Sequence, residues 1–168
     1  LTYAQAAREG RVGAGRRDAV EQVIPLPALP EMQSQLVSPM LAHRELVGLP
    51  NLLAPRVLDV RQSNWETETV DAVFNANMIH IAPWECCEGL LRGSARALRA
   101  SGVLVLYGPY RVAGEHTAES NRRFDADLRA QDVRWGVRDL EAVTDFAGAH
   151  GLILRERVAM PANNQCLV

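Results

Sequence analysis

From Pro55 onward, apolar runs alternate with polar stops in a regular way. Short β-branched runs predict strands over residues 56–60 and 70–74, and the polar residues that follow each run mark where it ends. Leu90, Leu91, Ala95 and Leu98 recur at helical spacing, predicting a helix over 84–98 with the Ala100-Ser-Gly102 stop behind it. Val103-Leu-Val-Leu-Tyr107 is apolar without alternation, which suits a strand buried on both faces of a parallel sheet. Helices are expected over 119–130 and over 139–150, the latter ending at Gly151. Two last strands, over 152–158 and 165–168, flank the Pro161-Ala-Asn-Asn164 loop. Alternating strands and helices predict an α/β fold, a doubly wound and mostly parallel sheet that closes on an antiparallel C-terminal hairpin at its edge.

Residues 1–50 follow no such rhythm. A short helix fits residues 2–8, and residues 18–24 carry weak helical periodicity; Gly10, Gly13 and Gly15 lie between them. Pro25, Pro27 and Pro30 each fix φ and remove a donor, so this stretch is expected to be extended or irregular. Ser38-Pro39 reads as an N-cap followed by a first-turn proline, opening a helix to Val47 that Gly48 stops.

Composition narrows the class rather than the function. The 168 residues suffice for one domain with a core, and 48% hydrophobic with 23% charged residues is ordinary globular usage. A net charge of −2 and a pI near 6.1 give no electrostatic case for nucleic acid or an anionic membrane surface. Cys86, Cys87 and Cys166 cannot build a disulfide framework or a spaced zinc site, so no metal is expected and reduced thiols point to the cytoplasm. No apolar run reaches the ~20 residues of a membrane span, and no signal-peptide core opens the chain.

Chemistry concentrates where the strand over 70–74 gives way to Asn75, Asn77 and His80 before Pro83 and a helix. Open α/β sheets gather ligand-binding groups at the carboxyl ends of their strands. Side-chain amides both donate and accept, and an imidazole can take a proton near neutral pH. Taken singly, Asn77 can equally brace a turn and His80 cap local carbonyls. Asp59, at the end of its strand, either accepts from a ligand amine or hydroxyl or caps a turn. Tyr107 and Tyr110 surround a Gly-Pro stop, walling a flat ligand or covering the sheet edge, and His116, Asn121 and Arg122 occupy a polar segment suited to a lid or to plain solvation. Gly10 to Gly15 is the sole glycine cluster, with no strand ahead of it to make it a cofactor turn.

Five motifs taken together resemble a small methyltransferase-like family of the class I S-adenosylmethionine-dependent methyltransferase superfamily, long catalogued as a domain of unknown function. They are Asn77-Met-Ile-His-Ile81, Tyr107-Gly-Pro-Tyr110, Ser120-Asn121 with Phe124-Asp125, Trp135-Gly-Val-Arg-Asp139 and Met160-Pro-Ala-Asn-Asn164. The resemblance covers residues 48–168 of a single domain and leaves 1–47 divergent. It implies a Rossmann-like sheet with S-adenosylmethionine across the strand ends, Asp59 facing the adenine, and Asn75, Asn77 and Met78 lining the methionine part. It makes Gly13 and Gly15 the remnant of the cofactor's glycine turn, with no ribose-binding acid beside Leu36-Val-Ser-Pro39, so the fold is expected to be incomplete at its N-terminus, through divergence or because the chain is a fragment. The activity it implies is methyl transfer to a small molecule, with His80 taking the acceptor's proton and Asn77 and Tyr107 orienting it. Two alternatives stand beside it: a non-catalytic scaffold that has lost the cofactor loop, and, weakest, a nicotinamide-dependent oxidoreductase. A sheet short of its central strands would invite repair by a second copy of the chain.

Overall fold

The computed structural model describes residues 23–26 and 30–168, with side chains from Ser38 onward. Gly13, Gly15 and the short helix expected over 2–8 therefore lie outside the described residues. The chain forms two compact units, Leu1–Leu58 and Asp59–Val168.

In the first unit, strand β1 (Val23–Leu26) and strand β2 (Arg56–Asp59) form a two-stranded sheet, with helix α1 (Pro30–Val47) between them in sequence. The helix opens at Pro30, and Pro39 lies inside it rather than at its first turn. This corrects the start expected at Ser38: Pro30, not Pro39, occupies the position where a missing N–H costs nothing. The stop at Gly48 holds. Its φ of +61° is left-handed, and its amide donates to the Arg44 carbonyl at 3.0 Å, closing the last turn.

The second unit is built on a four-stranded sheet in the order β3-β4-β8-β7. Strand β3 (Val70–Ala76) runs parallel to β4 (Leu98–Gly108), with helix α2 (Trp84–Ala97) as the crossover between them. After β4 come a two-residue hairpin, β5 (Arg111–Val112) and β6 (Glu115–His116), then helices α3 (Glu119–Gln131) and α4 (Leu140–Gly148). Ala113 and Gly114, with φ of +50° and +79°, turn that hairpin in the left-handed conformation tight hairpins require.

Strands β7 (Arg157–Ala159) and β8 (Gln165–Leu167) pair antiparallel, and β8 also pairs antiparallel with β4. Both neighbours of β8 thus run with β3, and β8 is the single reversed strand. The expected C-terminal hairpin is present at the sheet edge, with its second strand β8 beside β4 and its first strand β7 outermost. Its first strand is shorter than the 152–158 expected, because the Arg155 and Glu156 amides converge on the Val168 carbonyl before regular pairing starts. The Ala100-Ser-Gly102 stop lies inside β4, where the register jumps from Val70↔Leu98 to Ala72↔Val103 and Ser101 takes a φ of +66°.

Helix α2 buries Cys87, Leu90, Leu91, Ser94 and Ala97 on the sheet-facing side. Its other buried stripe is made of Cys86 and two glycines. A Cβ on Gly89 would come 2.5 Å from the Val60 carbonyl oxygen, and one on Gly93 would overlap the Trp65 indole ring. Segment 60–65 therefore lies directly on the helix, with Trp65 buried and its Nε1–H donating to the Val60 carbonyl.

Candidate functional site

Because β3 and β4 are parallel, Asn77 and Gly108 emerge at the same edge of the sheet, and the antiparallel β8 begins there. Asn77 follows β3 in the left-handed region at φ +61°, where asparagine is among the few side chains tolerated. Its amide donates to the Tyr107 carbonyl at 2.9 Å and its carbonyl accepts from the His80 amide at 2.9 Å. The tight turn this makes carries Met78, Ile79 and His80 inward.

Two of the other motifs hydrogen-bond this turn directly, through Tyr107 and through Gly136 and Arg138, and the remaining two join it through them. The Gly136 amide donates to the His80 carbonyl at 2.8 Å, and the Arg138 amide reaches His80 Nδ1 at 3.3 Å. The Arg138 side chain donates through Nε to the Ile79 carbonyl and through Nη2 to the Ala82 carbonyl. Asp125 on α3 accepts from the Val137 amide at 2.7 Å and from Arg129 Nε at 3.0 Å. Gly136 has to be glycine: its φ is +147°, and a Cβ would sit 2.6 Å from the Asp125 carboxylate. On the far side, Asn121 Nδ2 donates to the Asn163 carbonyl, Asn163 Nδ2 to Ser120 Oγ, and Asn164 Nδ2 to the Tyr107 hydroxyl at 2.9 Å. Ala162 and Asn163 are both left-handed, at φ +58° and +60°, so this loop is held in a conformation its sequence would not choose alone.

His80 is fully enclosed, packed edge-on to Tyr110 and lying against the Gly108 backbone. Burial, reinforced by the nearby Arg138 charge, lowers its pKa to about 3. With Nδ1 facing the Arg138 N–H, the neutral ring carries its proton on Nε2, which has no partner. A ring so enclosed and so protonated is a brace; it is not placed to take a proton from a bound acceptor. Met78 likewise belongs to the core, at 5% exposure.

The sheet-end polar groups are Asn77, Tyr107 and Asn164, all half-buried. Asn75 keeps a buried side-chain oxygen without a partner. Asp59 is occupied: Arg61 donates to both its carboxylate oxygens, at 2.8 and 2.7 Å, and this pairing holds its pKa below the usual carboxylate value. Both charges act on the Cys86 thiol in the first turn of α2, which places Asp59 and Arg61 beside the helix that follows Asn77.

Sequence reasoning gave roles to Tyr107 and Asn77 but none to Asn163, Asn164 or Arg138, the residues that tie the motifs into one unit. Their signal was the recurrence of amides and an arginine inside the quoted motifs. His116, read as part of a polar segment, is in fact largely buried on β6, with Nε2 3.5 Å from Asp125.

Among solved structures, the chain is similar to an O-methyltransferase family protein from Burkholderia thailandensis, with a TM-score of 0.68 at 11% identity over 89% of this chain and 42% of that one. It is also similar to an O-methyltransferase family 2 protein from Planctomyces limnophilus in complex with apigenin, with a TM-score of 0.67 at 13% identity over 89% and 42%. LepI in complex with SAM gives a TM-score of 0.67 at 13% identity over 98% and 38%. The chain thus spans about two fifths of the length of these structures, and the likeness establishes a methyltransferase-like, Rossmann-like fold. Residues 26–168 match the family described as "Protein of unknown function (DUF938)", and the chain belongs to that family.

Proposed function

We propose that the chain is a methyltransferase-like protein that takes S-adenosylmethionine and a small-molecule acceptor at the carboxyl edge of β3 and β4. The observation that carries this is the interlock: five motifs scattered between residues 77 and 164 are linked by hydrogen bonds into one network that includes the Asn77 turn and holds the left-handed Ala162–Asn163 loop. Conformations of that cost persist where a site needs them.

The residues present fit the cofactor on its methionine side. The unpartnered Asn75 oxygen can accept from an ammonium group, and Asn77 adds an amide next to it. Asp59 would serve the adenosyl part once Arg61 swings away, a small rearrangement because the pair is solvent-facing. Bound S-adenosylmethionine supplies a methyl group on a sulfonium that is already a good leaving group. The chain's own task is positioning: Tyr107 and Asn164 orient the acceptor, and the enclosed His80 keeps the Asn77 turn rigid.

A calorimetric titration of the full chain with S-adenosylmethionine and with its demethylated product tests this. Saturable heat that weakens in Asn75→Ala and Asp59→Ala is expected, followed by transfer of labelled methyl to small molecules of a cell extract. Absence of heat and of any thermal shift at millimolar cofactor would leave the scaffold reading, which the Asp59–Arg61 pairing favours, as the better one.

A further inference from the structure

A concavity lies apart from Asn77 and Tyr107. It is a cleft of about 140 Å³ lined by Trp84, Arg111, Arg129, Val137, Arg138, Asp139 and Ala142. We propose that this cleft binds a small oxyanion, the carboxylate or phosphate group of an acidic metabolite, between the guanidinium groups of Arg111, Arg129 and Arg138.

Three guanidinium groups and one carboxylate face the same space. Arg111 is paired with Asp139 at 2.6 Å, and Arg129 with Asp125 at 3.0 Å. Arg138 has no carboxylate within ion-pair distance among the described residues. It donates to the carbonyls of Ile79, Ala82 and Arg134, which are neutral, and its guanidinium lies over the Trp84 ring at 5.7 Å. Burial lowers the Arg138 pKa, and Arg129 repels it as well. A partly buried cation that neutral acceptors hold toward a cleft, beside a second cation, is an arrangement that an anion stabilises. Arg111 contributes a buried Nε–H with no partner, and Asp139 a buried Oδ1 with none, so the three guanidinium groups have to outweigh one carboxylate. The volume suits one oxyanion group and is well below the ~300 Å³ or more of pockets for whole drug-sized ligands. Such an anion would sit against the arginine that clamps the Ile79 and Ala82 carbonyls, and so would bear on the same turn as the sheet-end site while using different residues.

The test uses the isotope-labelled full chain, titrated with inorganic phosphate and separately with acetate at constant ionic strength. Signals of the Trp84 indole N–H and the Arg138 side-chain N–H report the cleft, and those of Arg122 and Arg123, exposed on α3, report nonspecific ion binding. The expected result is saturation at Trp84 and Arg138, with little change at Arg122 or Arg123; which anion saturates names the group. Ala142 is exposed on α4, so its variants should fold. Ala142→Glu should weaken binding about tenfold, while Ala142→Lys, of similar bulk, should preserve or tighten it. Linear shifts up to roughly 50 mM anion, equal shifts at Arg122, or equal loss in both Ala142 variants would overturn the site.

Discussion

His80 shows what burial does to a residue whose type suggests catalysis. Its pKa in the folded chain is about 3, against about 6.5 for an unfolded histidine. Between those values the unfolded chain binds a proton that the folded chain refuses, so this group's contribution to stability falls as pH drops through the window and is constant above it. Urea denaturation should therefore show a loss of about 2 kcal/mol between pH 7 and pH 5, and His80→Gln should flatten that dependence whatever it does to stability at pH 7. An unchanged slope in the variant would show that the enclosure of His80 is not what the pH dependence reports. At Tyr107 the effect is smaller and local. Its hydroxyl accepts from Asn164, so Tyr107→Phe should cost about 1 kcal/mol and speed amide exchange in the Ala162–Asn163 loop. If exchange there stays as slow as in the parent, the Asn164 link does not hold the loop.

At the scale of elements, α2 is positioned by what two of its residues lack. Gly89 and Gly93 let segment 60–65 rest on the helix backbone, and that contact brings Asp59 and Arg61 to the helix's first turn. Gly93→Ala should displace the Trp65 ring, destabilise the fold by about 1–3 kcal/mol and shift tryptophan emission to the red, although alanine is the better helix former. The exposed Arg96→Ala on the same helix should change stability by less than about 0.5 kcal/mol, and similar losses in both would mean that the glycine contact is unimportant. This helix and its flanking strands were legible in the sequence because local propensity, apolar spacing and stop residues agreed there. Helix α1 was misread at its start because Pro30 was grouped with Pro25 and Pro27 as an extended stretch, although a proline at the first helical position needs no donor. The site was legible in its parts and not in its assembly. Asn77, Tyr107 and the Asn163-Asn164 pair were visible as motifs, but His80 meets Arg138 across 58 residues and Tyr107 meets Asn164 across 57. Only tertiary structure brings such pairs together, and only it shows that His80 is sealed.

For the Asp59–Val168 unit as a whole, the two faces of the sheet are unequally covered. Paired positions on parallel strands share a face, so Asn75 and Leu106 lie on one side while Phe74 and Val105 lie on the other. Leu106 is 4% exposed and Phe74 is 57% exposed, with Val103 on the Phe74 face at 40%. The continuous apolar run of β4 suggested a strand buried on both faces, but burial is strong on the Leu106 face alone. Truncation should expose this asymmetry. Leu106→Ala removes side-chain atoms from a packed layer and leaves a cavity, at a cost of about 2–5 kcal/mol. Phe74→Ala, although it deletes the larger group, removes atoms already in contact with water and should cost less than about 1 kcal/mol. Urea titrations of the two variants at one pH decide between this picture and a sheet covered on both sides. Equal destabilisation would mean that the Phe74 face is packed in solution, and a large loss for Leu106 alone would confirm that the unit's stability rests on the layer between β4 and α2.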